Sequence, residues 1–193
     1  AELIAADVYE KALGTTSGWE QVTPRLGRQG LDGIFVKYDK NGTPKGLIVT
    51  ESKYGSSTLG NTLDGKQMSD QWTEKRLRAL SKRYYEAASG KIKYVSLPNE
   101  EPVRHKLEVK LKNGEVGVFW RRNANDEWHY DGQKGSIEEA RIKAGETGKY
   151  LEAAGAGKIS YRKRIFRIKI NENKITITIT DPNNGGKTRR ITI

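Results

Sequence analysis

A carboxylate and an ammonium interrupt a strand-like run near the start of the chain. The run IVTESKYG, residues 48 to 55, is apolar and β-branched until it reaches Glu51 and Lys53. Side chains two positions apart on a strand point to the same side of a sheet. The two opposite charges are therefore expected to be neighbours, either as a solvated ion pair or as a reactive one.

A hairpin brings a second carboxylate towards this pair. The runs GIFVKYD and GLIVTES flank a linker that contains Asn41-Gly42, a strong hairpin signal. Antiparallel pairing across that turn puts Asp32 opposite Ser52, to within one residue. The alternative, in which Asp32 has no catalytic role, is that it is an ordinary turn residue before Gly33.

Two carboxylates and an ammonium at one end of a hairpin suit phosphate chemistry. Mg²⁺ is usually held by one or two carboxylates together with water and substrate phosphate. Such an ion orients and acidifies a water molecule, and Lys53 is expected to hold the nucleophile or neutralise developing charge. Asp32 and Glu51 are thus candidate metal ligands, with Mg²⁺ or Mn²⁺ as the ion.

The charge of the chain favours a polyanionic partner. Its 193 residues carry 35 Lys and Arg against 24 Asp and Glu, a net charge of +11. Nucleic acid is the expected partner, while membrane surfaces and acidic proteins stay open. The absence of cysteine excludes a disulfide framework, and two histidines do not favour a structural zinc site. No run is apolar and long enough to span a membrane.

Helical and strand-like segments alternate along the chain. Helical spacing predicts helices over residues 2 to 13, 70 to 88 and 137 to 154, the last opened by a capping box of Ser136 and Glu139. A second hairpin is predicted around Asn113-Gly114, and strictly alternating runs after residue 162 predict an antiparallel meander. The start at Ala1 inside an apparent helix suggests a piece of a longer protein.

These elements predict an α/β (α+β) fold in two parts. Residues 1 to 97 would form a mixed sheet core with flanking helices. Residues 98 to 193 would form a β-rich extension with one helix that ends in the antiparallel meander. The sequence leaves open whether that meander continues the first sheet.

Three motifs together resemble the PD-(D/E)xK, or restriction-endonuclease-like, nuclease superfamily. They are GLDG at residues 30 to 33, IVTESK at 48 to 53 and GKQMSDQW at 65 to 72. Within the superfamily the pattern is most similar to C-terminal nuclease toxin domains of bacterial secreted and contact-dependent growth inhibition effectors. The resemblance covers residues 2 to about 90.

The resemblance implies a set of site residues and an ion. Asp32 and Glu51 would bind Mg²⁺ or Mn²⁺, Lys53 would be the catalytic lysine, and Gln67 would position the site. A glutamate of the first helix would join them, either Glu2 or, as the alternative, Glu10.

Other basic and aromatic residues are candidates for nucleic-acid contact. The basic candidates are Lys66, Arg76, Arg78, Arg121 and Arg122, and the triplet Arg162-Lys163-Arg164 has the same potential; a solvated charged face is the alternative for all of them. Trp120, Trp128 and Tyr130 have the chemistry to stack on bases, but aromatic residues in hairpins more often form cross-strand core pairs.

The leading hypothesis is a metal-dependent nuclease toxin that cleaves DNA in interbacterial competition. The alternatives are a tRNA- or RNA-cleaving toxin of the same fold, a DNA repair or junction nuclease, and a non-catalytic basic nucleic-acid-binding domain. The toxin hypothesis implies delivery as the C-terminal part of a larger bacterial protein and action in the target-cell cytoplasm. It also implies an acidic immunity protein, on the surface around Lys66, Lys75, Arg76 and Arg78 or on the basic C-terminal strands.

Overall fold

A computed structural model describes residues 18–23, 31–99, 105–171 and 174–192. The predicted first helix, with Glu2 and Glu10, lies outside the described residues.

Six strands of the described chain form one mixed sheet, the large sheet, in the order β1-β2-β3-β10-β11-β12. Their bounds are β1 Trp19–Thr23, β2 Gly33–Tyr38, β3 Pro44–Tyr54, β10 Arg162–Asn171, β11 Lys174–Asp181 and β12 Lys187–Thr192. β3 and β10 run parallel, and the other neighbours run antiparallel. The C-terminal meander therefore continues the sheet that the first hairpin begins.

The remaining described strands form a four-stranded mixed sheet, in the order β6-β9-β8-β7, and a short hairpin, β4-β5. Their bounds are β4 Asn61–Thr62, β5 Gly65–Lys66, β6 Ile92–Tyr94, β7 His105–Lys110, β8 Val116–Arg121 and β9 Trp128–Asp131. The Asn-Gly turns of both predicted hairpins are confirmed, with Gly42 and Gly114 at positive φ.

Two long helices are present in the described ranges, α1 Asp70–Ser89 and α2 Ile137–Gly155. The helix that apolar spacing predicts over residues 70 to 88 is confirmed as α1, and its apolar residues Trp72, Leu77, Leu80 and Tyr84 are all buried. Small residues let the helices approach closely: the Ser81 hydroxyl donates to the Gly148 carbonyl at 2.8 Å.

The large sheet has two different faces. Side chains on one face, including Ile34, Val36, Leu47 and Val49, join the helices in the main core. Side chains on the other face form a second cluster around Phe35, Ile48, Phe166, Ile168 and Ile177. We call the first face the helix face, because it is the one that α1 and α2 cover.

The predicted capping box at α2 is wrong, although the helix is confirmed. Ser136 makes no side-chain cap; its hydroxyl donates to the Gln133 carbonyl at 2.7 Å and hydrogen-bonds the Tyr130 hydroxyl at 2.8 Å. The Glu139 carboxylate accepts instead from the Lys112 backbone N–H, at 2.6 Å. Both side chains that a capping box would pair with backbone N–H groups at the start of the helix thus have other hydrogen-bond partners.

The architecture is mixed α+β, as the sequence predicts at that level. The boundary at residue 98 stays a prediction, and the pairing of β10 with β3 puts residues from both sides of it in one sheet. Neither described helix is apolar over the length that would be needed to cross a membrane.

The close approach of the helices can be tested with two glycines of α2. A Cβ at Gly155 would lie 3.0 Å from the Glu74 carbonyl and 3.1 Å from the Arg78 nitrogen, both backbone atoms of α1. We expect Gly155→Ala to lower the free energy of unfolding by about 1–3 kcal/mol, measured by urea denaturation.

Gly145→Ala is the matched control in the same helix. Its Cβ would meet only the Ala88 methyl carbon at 3.8 Å, so the gain in helix propensity, about 0.5–1 kcal/mol, should stabilise the protein. Equal effects of the two substitutions would contradict the proposed helix contact.

Candidate functional site

Asp32 lies where the first hairpin opens. The last β2–β3 pair before it is Gly33 with Thr50, so Asp32 comes next to the peptide that joins Glu51 and Ser52. Its carboxylate Oδ2 accepts a hydrogen bond from the Ser52 backbone N–H at 2.5 Å. The predicted register was right to within the one residue allowed.

Glu51 and Lys53 form a largely buried ion pair on the helix face. Lys53 Nζ lies 2.8 Å from Glu51 Oε1, and the two side chains are 14% and 3% exposed. β3 lies between β2 and β10, and Glu51 pairs with Ile165 on β10, so a neighbouring apolar side chain lies beside the glutamate on the same face. The pair is therefore an internal feature of the sheet and not a solvated strand end.

Gln67 connects this pair to the segment before α1. Its Oε1 accepts from Lys53 Nζ at 3.0 Å and from the Gly60 N–H at 2.8 Å. Since both neighbours are donors, the oxygen of the amide must face them. The Gln67 N–H in turn donates to the Gly60 carbonyl at 2.9 Å, so backbone and side chain are both fixed.

Lys163 on β10 supports the Gln67 segment, and sequence reasoning missed this role. Its buried Nζ donates to the Met68 carbonyl at 2.8 Å and to Asp70 Oδ1 at 2.5 Å. Met68 has a φ of 65°, a strained conformation for a residue with a side chain. The alternation of β10 was the available signal, because it points Lys163 inward while Arg162 and Arg164 point to the other face.

The carboxylates at this end of the hairpin are of the type that a hard divalent cation prefers. Asp32 and Glu51 bring carboxylate oxygens to neighbouring positions, and Mg²⁺ takes its other ligands from water and phosphate. Among the residues that the structure describes, no group of three or more His, Cys, Asp or Glu is placed to hold a metal ion. Two carboxylates would therefore be the contribution of the described chain.

The basic candidates near α1 already have acidic partners. Lys75 and Arg76 both contact the Asp64 carboxylate, Arg76 at 3.3 Å, and the Lys75 hydrogen bond holds the pKa of Asp64 below its usual value. Arg76 also stacks on Trp72, with 4.0 Å between the guanidinium carbon and the ring centroid. These contacts position the start of α1.

The other candidates in this region differ in their surroundings. Arg78 donates to the Gly155 carbonyl and lies 4.0 Å from Glu74, while half of its side chain is exposed. Lys66 is exposed on β5. Their role in nucleic-acid binding stays a prediction.

Arg121 and Arg122, adjacent in sequence, lie in opposite environments. Arg121 is 7% exposed, stacks on the Trp128 ring at 4.6 Å and pairs with Glu86 at 3.0 Å. Arg122 is exposed. Trp120 and Trp128 are buried, as expected for cross-strand core pairs.

A cavity of about 590 Å³ lies far from these residues. It is bordered by the β2–β3 turn, which is the opposite end of the hairpin from Asp32, and by α2. Inside it, Lys143 is paired with Glu20 at 2.7 Å. Because Asp32, Glu51, Lys53 and Gln67 do not border this cavity, we take the Asp32 end of the hairpin as the candidate site.

Comparison with known proteins finds no matching family model, no matching curated protein and no matching solved structure. The functional conclusion therefore depends on the residues of this chain and on their geometry.

The two hydrogen bonds that Gln67 Oε1 accepts give a prediction that does not depend on any activity. Gln67→Ala removes the acceptor for Lys53 and leaves the Gly60 N–H without its side-chain partner. We expect a loss of about 1–2 kcal/mol in the free energy of unfolding and faster hydrogen exchange at the Gly60 amide.

Gln71→Ala serves as the control, because Gln71 is an exposed residue of α1 only four positions away. It should change stability by less than about 0.5 kcal/mol. An unchanged rate of hydrogen exchange at the Gly60 amide in Gln67→Ala would contradict the hydrogen bond between Gly60 and Gln67.

Proposed function

We propose that this chain is a divalent-metal-dependent nuclease that hydrolyses phosphodiester bonds in DNA. The observation that carries the proposal is the convergence of Asp32, Glu51, Lys53 and Gln67 at the open end of one hairpin. These are the described residues to which the PD-(D/E)xK resemblance assigns the site.

The burial of the ion pair supports a role beyond stability. Removing two charges from water costs roughly as much as their attraction returns, so apolar residues at such positions are often neutral or better for folding. Glu51 is nevertheless buried in the middle of the large sheet. Retaining this costly pair is understandable if Glu51 and Lys53 act on a ligand.

In the proposed chemistry the two carboxylates and the Lys53 ammonium have different roles. Asp32 and Glu51 would hold Mg²⁺ or Mn²⁺, which supplies a Lewis acid for the phosphate and for a bound water. Lys53 would donate a hydrogen bond to the attacking water or to a phosphate oxygen, where it offsets developing negative charge. Gln67 keeps the ammonium in place through a single shared acceptor atom.

The arrangement of the large sheet also supports a restriction-endonuclease-like core. An antiparallel β1-β2-β3 unit is extended by the parallel strand β10, and both described helices pack on one face. Such a mixed sheet core with flanking helices is what the resemblance implies for this chain.

The substrate and the biological setting follow from charge and resemblance. A net charge of +11 favours a polyanion, and the toxin-like motifs favour delivery within a larger bacterial protein to the cytoplasm of a target cell. The same site would act on an RNA phosphodiester, so total tRNA is the necessary second substrate in any assay.

A non-catalytic basic nucleic-acid-binding domain is the second candidate. The 2.8 Å Lys53–Glu51 contact favours it, because an ion pair between two residues of one strand is complete without a metal. A domain of this kind would bind DNA with no requirement for a divalent ion.

The nuclease proposal predicts that cleavage needs both the metal and the cluster. Supercoiled plasmid should be nicked or linearised with Mg²⁺ or Mn²⁺ and left intact with EDTA. Asp32→Asn, Glu51→Gln and Lys53→Met should each reduce the cleavage rate on the order of 100-fold or more, because each removes a group that acts on the transition state.

Lys37→Met is the matched control, since Lys37 is an exposed lysine on the neighbouring strand β2. Its cleavage rate should equal that of the wild type, and circular dichroism should verify the folded state of every variant. Full activity in EDTA, or in Lys53→Met, would exclude the proposed site.

A nuclease toxin also requires an immunity protein, and we propose that it is acidic. A negatively charged surface would associate quickly with this basic chain and cover the path of the substrate. The association rate with the gene product encoded directly downstream should fall at least several-fold between low and physiological salt. A salt-independent rate would exclude electrostatic capture, and no binding would favour a repair nuclease.

A further inference from the structure

Strand register places Lys53 in a row of side chains that crosses the large sheet. Lys53 pairs with Arg167 on β10, Arg167 with Thr178 on β11, and Thr178 with Arg190 on β12. Directly paired residues on neighbouring strands point to the same face of a sheet. All four side chains therefore lie on the helix face, in line with the candidate site.

One neighbouring row is also polar, because Lys169 pairs with Thr176. In the row on the other side, Thr180 pairs with Ile165, which packs against the main core. We call this surface the threonine–arginine face and define it by Arg167, Lys169, Thr176, Thr178, Thr180 and Arg190. The other side of the same strands carries the apolar cluster of Phe166, Ile168 and Ile177.

Negative charge is excluded from this face within the described parts of β10, β11 and β12. Asp181 is the one Asp or Glu in those residues, and it lies on the other face, paired with Arg164 at 2.6 Å. Lys169 and Arg190 are exposed. A merely solvated sheet face usually mixes both signs of charge, whereas the charged side chains on this face of the three strands are all cations.

Arg167 connects the face physically to the candidate site. Its Nη1 donates to the carbonyls of Gly55 at 2.9 Å and Ser57 at 2.7 Å, in the loop directly after Lys53. The loop that follows β3 is thus held against β10, which puts Arg167 between the candidate site and the outer strands β11 and β12.

We propose that the threonine–arginine face binds the phosphate backbone of double-stranded DNA and leads it to Lys53. Hydroxyl and guanidinium groups donate to phosphate oxygens and fix the position of a duplex without reading its sequence. The assignment of this surface as a substrate path rests on the proposed nuclease function.

Distance and composition both agree with a duplex. Strands are about 4.8 Å apart, so Arg190, three strands from Lys53, is about 14 Å away, which is close to four base-pair steps of roughly 3.4 Å. The described residues of this face in β10–β12 include no aromatic side chain. Single-strand binders usually stack bases on aromatic rings, so single-stranded DNA should bind more weakly.

Arg190 and Arg189 provide a matched pair of variants. Both are exposed residues of β12, but Arg189 pairs with Ile179 and points to the opposite face. Arg190→Gln and Arg189→Gln change the net charge equally, and only the first alters the proposed surface.

The test measures binding of a fluorescein-labelled DNA duplex by anisotropy, in EDTA and over a range of salt concentrations. Arg190→Gln should raise Kd roughly 5- to 10-fold at 0.1 M salt and lower the slope of log K against log salt by about 0.9, the value of one phosphate contact. Arg189→Gln should change neither, and Arg190→Lys should retain most of the salt slope.

Equal losses in Arg190→Gln and Arg189→Gln, or no loss in Arg190→Gln, would overturn the proposed face. A downstream acidic protein that loses binding to Arg190→Gln while DNA affinity is unchanged would also overturn it, because the surface would then be a protein interface. Equal affinity for single-stranded DNA would contradict the proposed preference for a duplex.

Plasmid cleavage is measured separately, so that the two proposals can fail independently. If DNA binding depends on Arg190 but no cleavage occurs, the result supports the threonine–arginine face as a DNA-binding surface and contradicts the nuclease proposal.

Discussion

Parallel pairing between β3 and β10 is the interaction on which the rest of the structure depends. It joins residues 48 to 54 with residues 162 to 168, more than a hundred positions apart in the chain. Without it, β3 would be an edge strand, and Glu51 would lose the neighbouring side chain of Ile165. With it, both neighbours of β3 are occupied, and a carboxylate and an ammonium are held in a partly dehydrated setting where electrostatic interactions are stronger.

The sequence predicted the features that arise from local pattern. Asn-Gly turns predicted both hairpins, and apolar spacing predicted α1 with its buried side. The pairing of β3 with β10 left no local signal, because a parallel contact needs a long crossover and any alternating strand is a candidate partner. For the same reason the sequence could not say whether the meander continued the first sheet.

At the candidate site, the sequence supplied the residues but not what holds them. The hairpin register brought Asp32 to Glu51, as the turn arithmetic required. The Gly60 N–H that shares Gln67 with Lys53 belongs to a loop, and loops carry no periodicity. Arg121 shows the same limit: beside an exposed Arg122, its burial against Trp128 depends on which face of β8 meets the core.

The position at which the helices stop covering the helix face decides where the large sheet can carry polar side chains. Leu47 and Val49 pack in the main core, and the next two residues of that face, Glu51 and Lys53, are charged. The change coincides with the start of α1, where Lys163 holds the carbonyl of the strained residue Met68. A positive φ costs on the order of 1 kcal/mol or more, and a buried lysine is an expensive support. Both features are understandable if together they fix the position at which α1 begins. Gln67, just before α1, can then accept a hydrogen bond from Lys53.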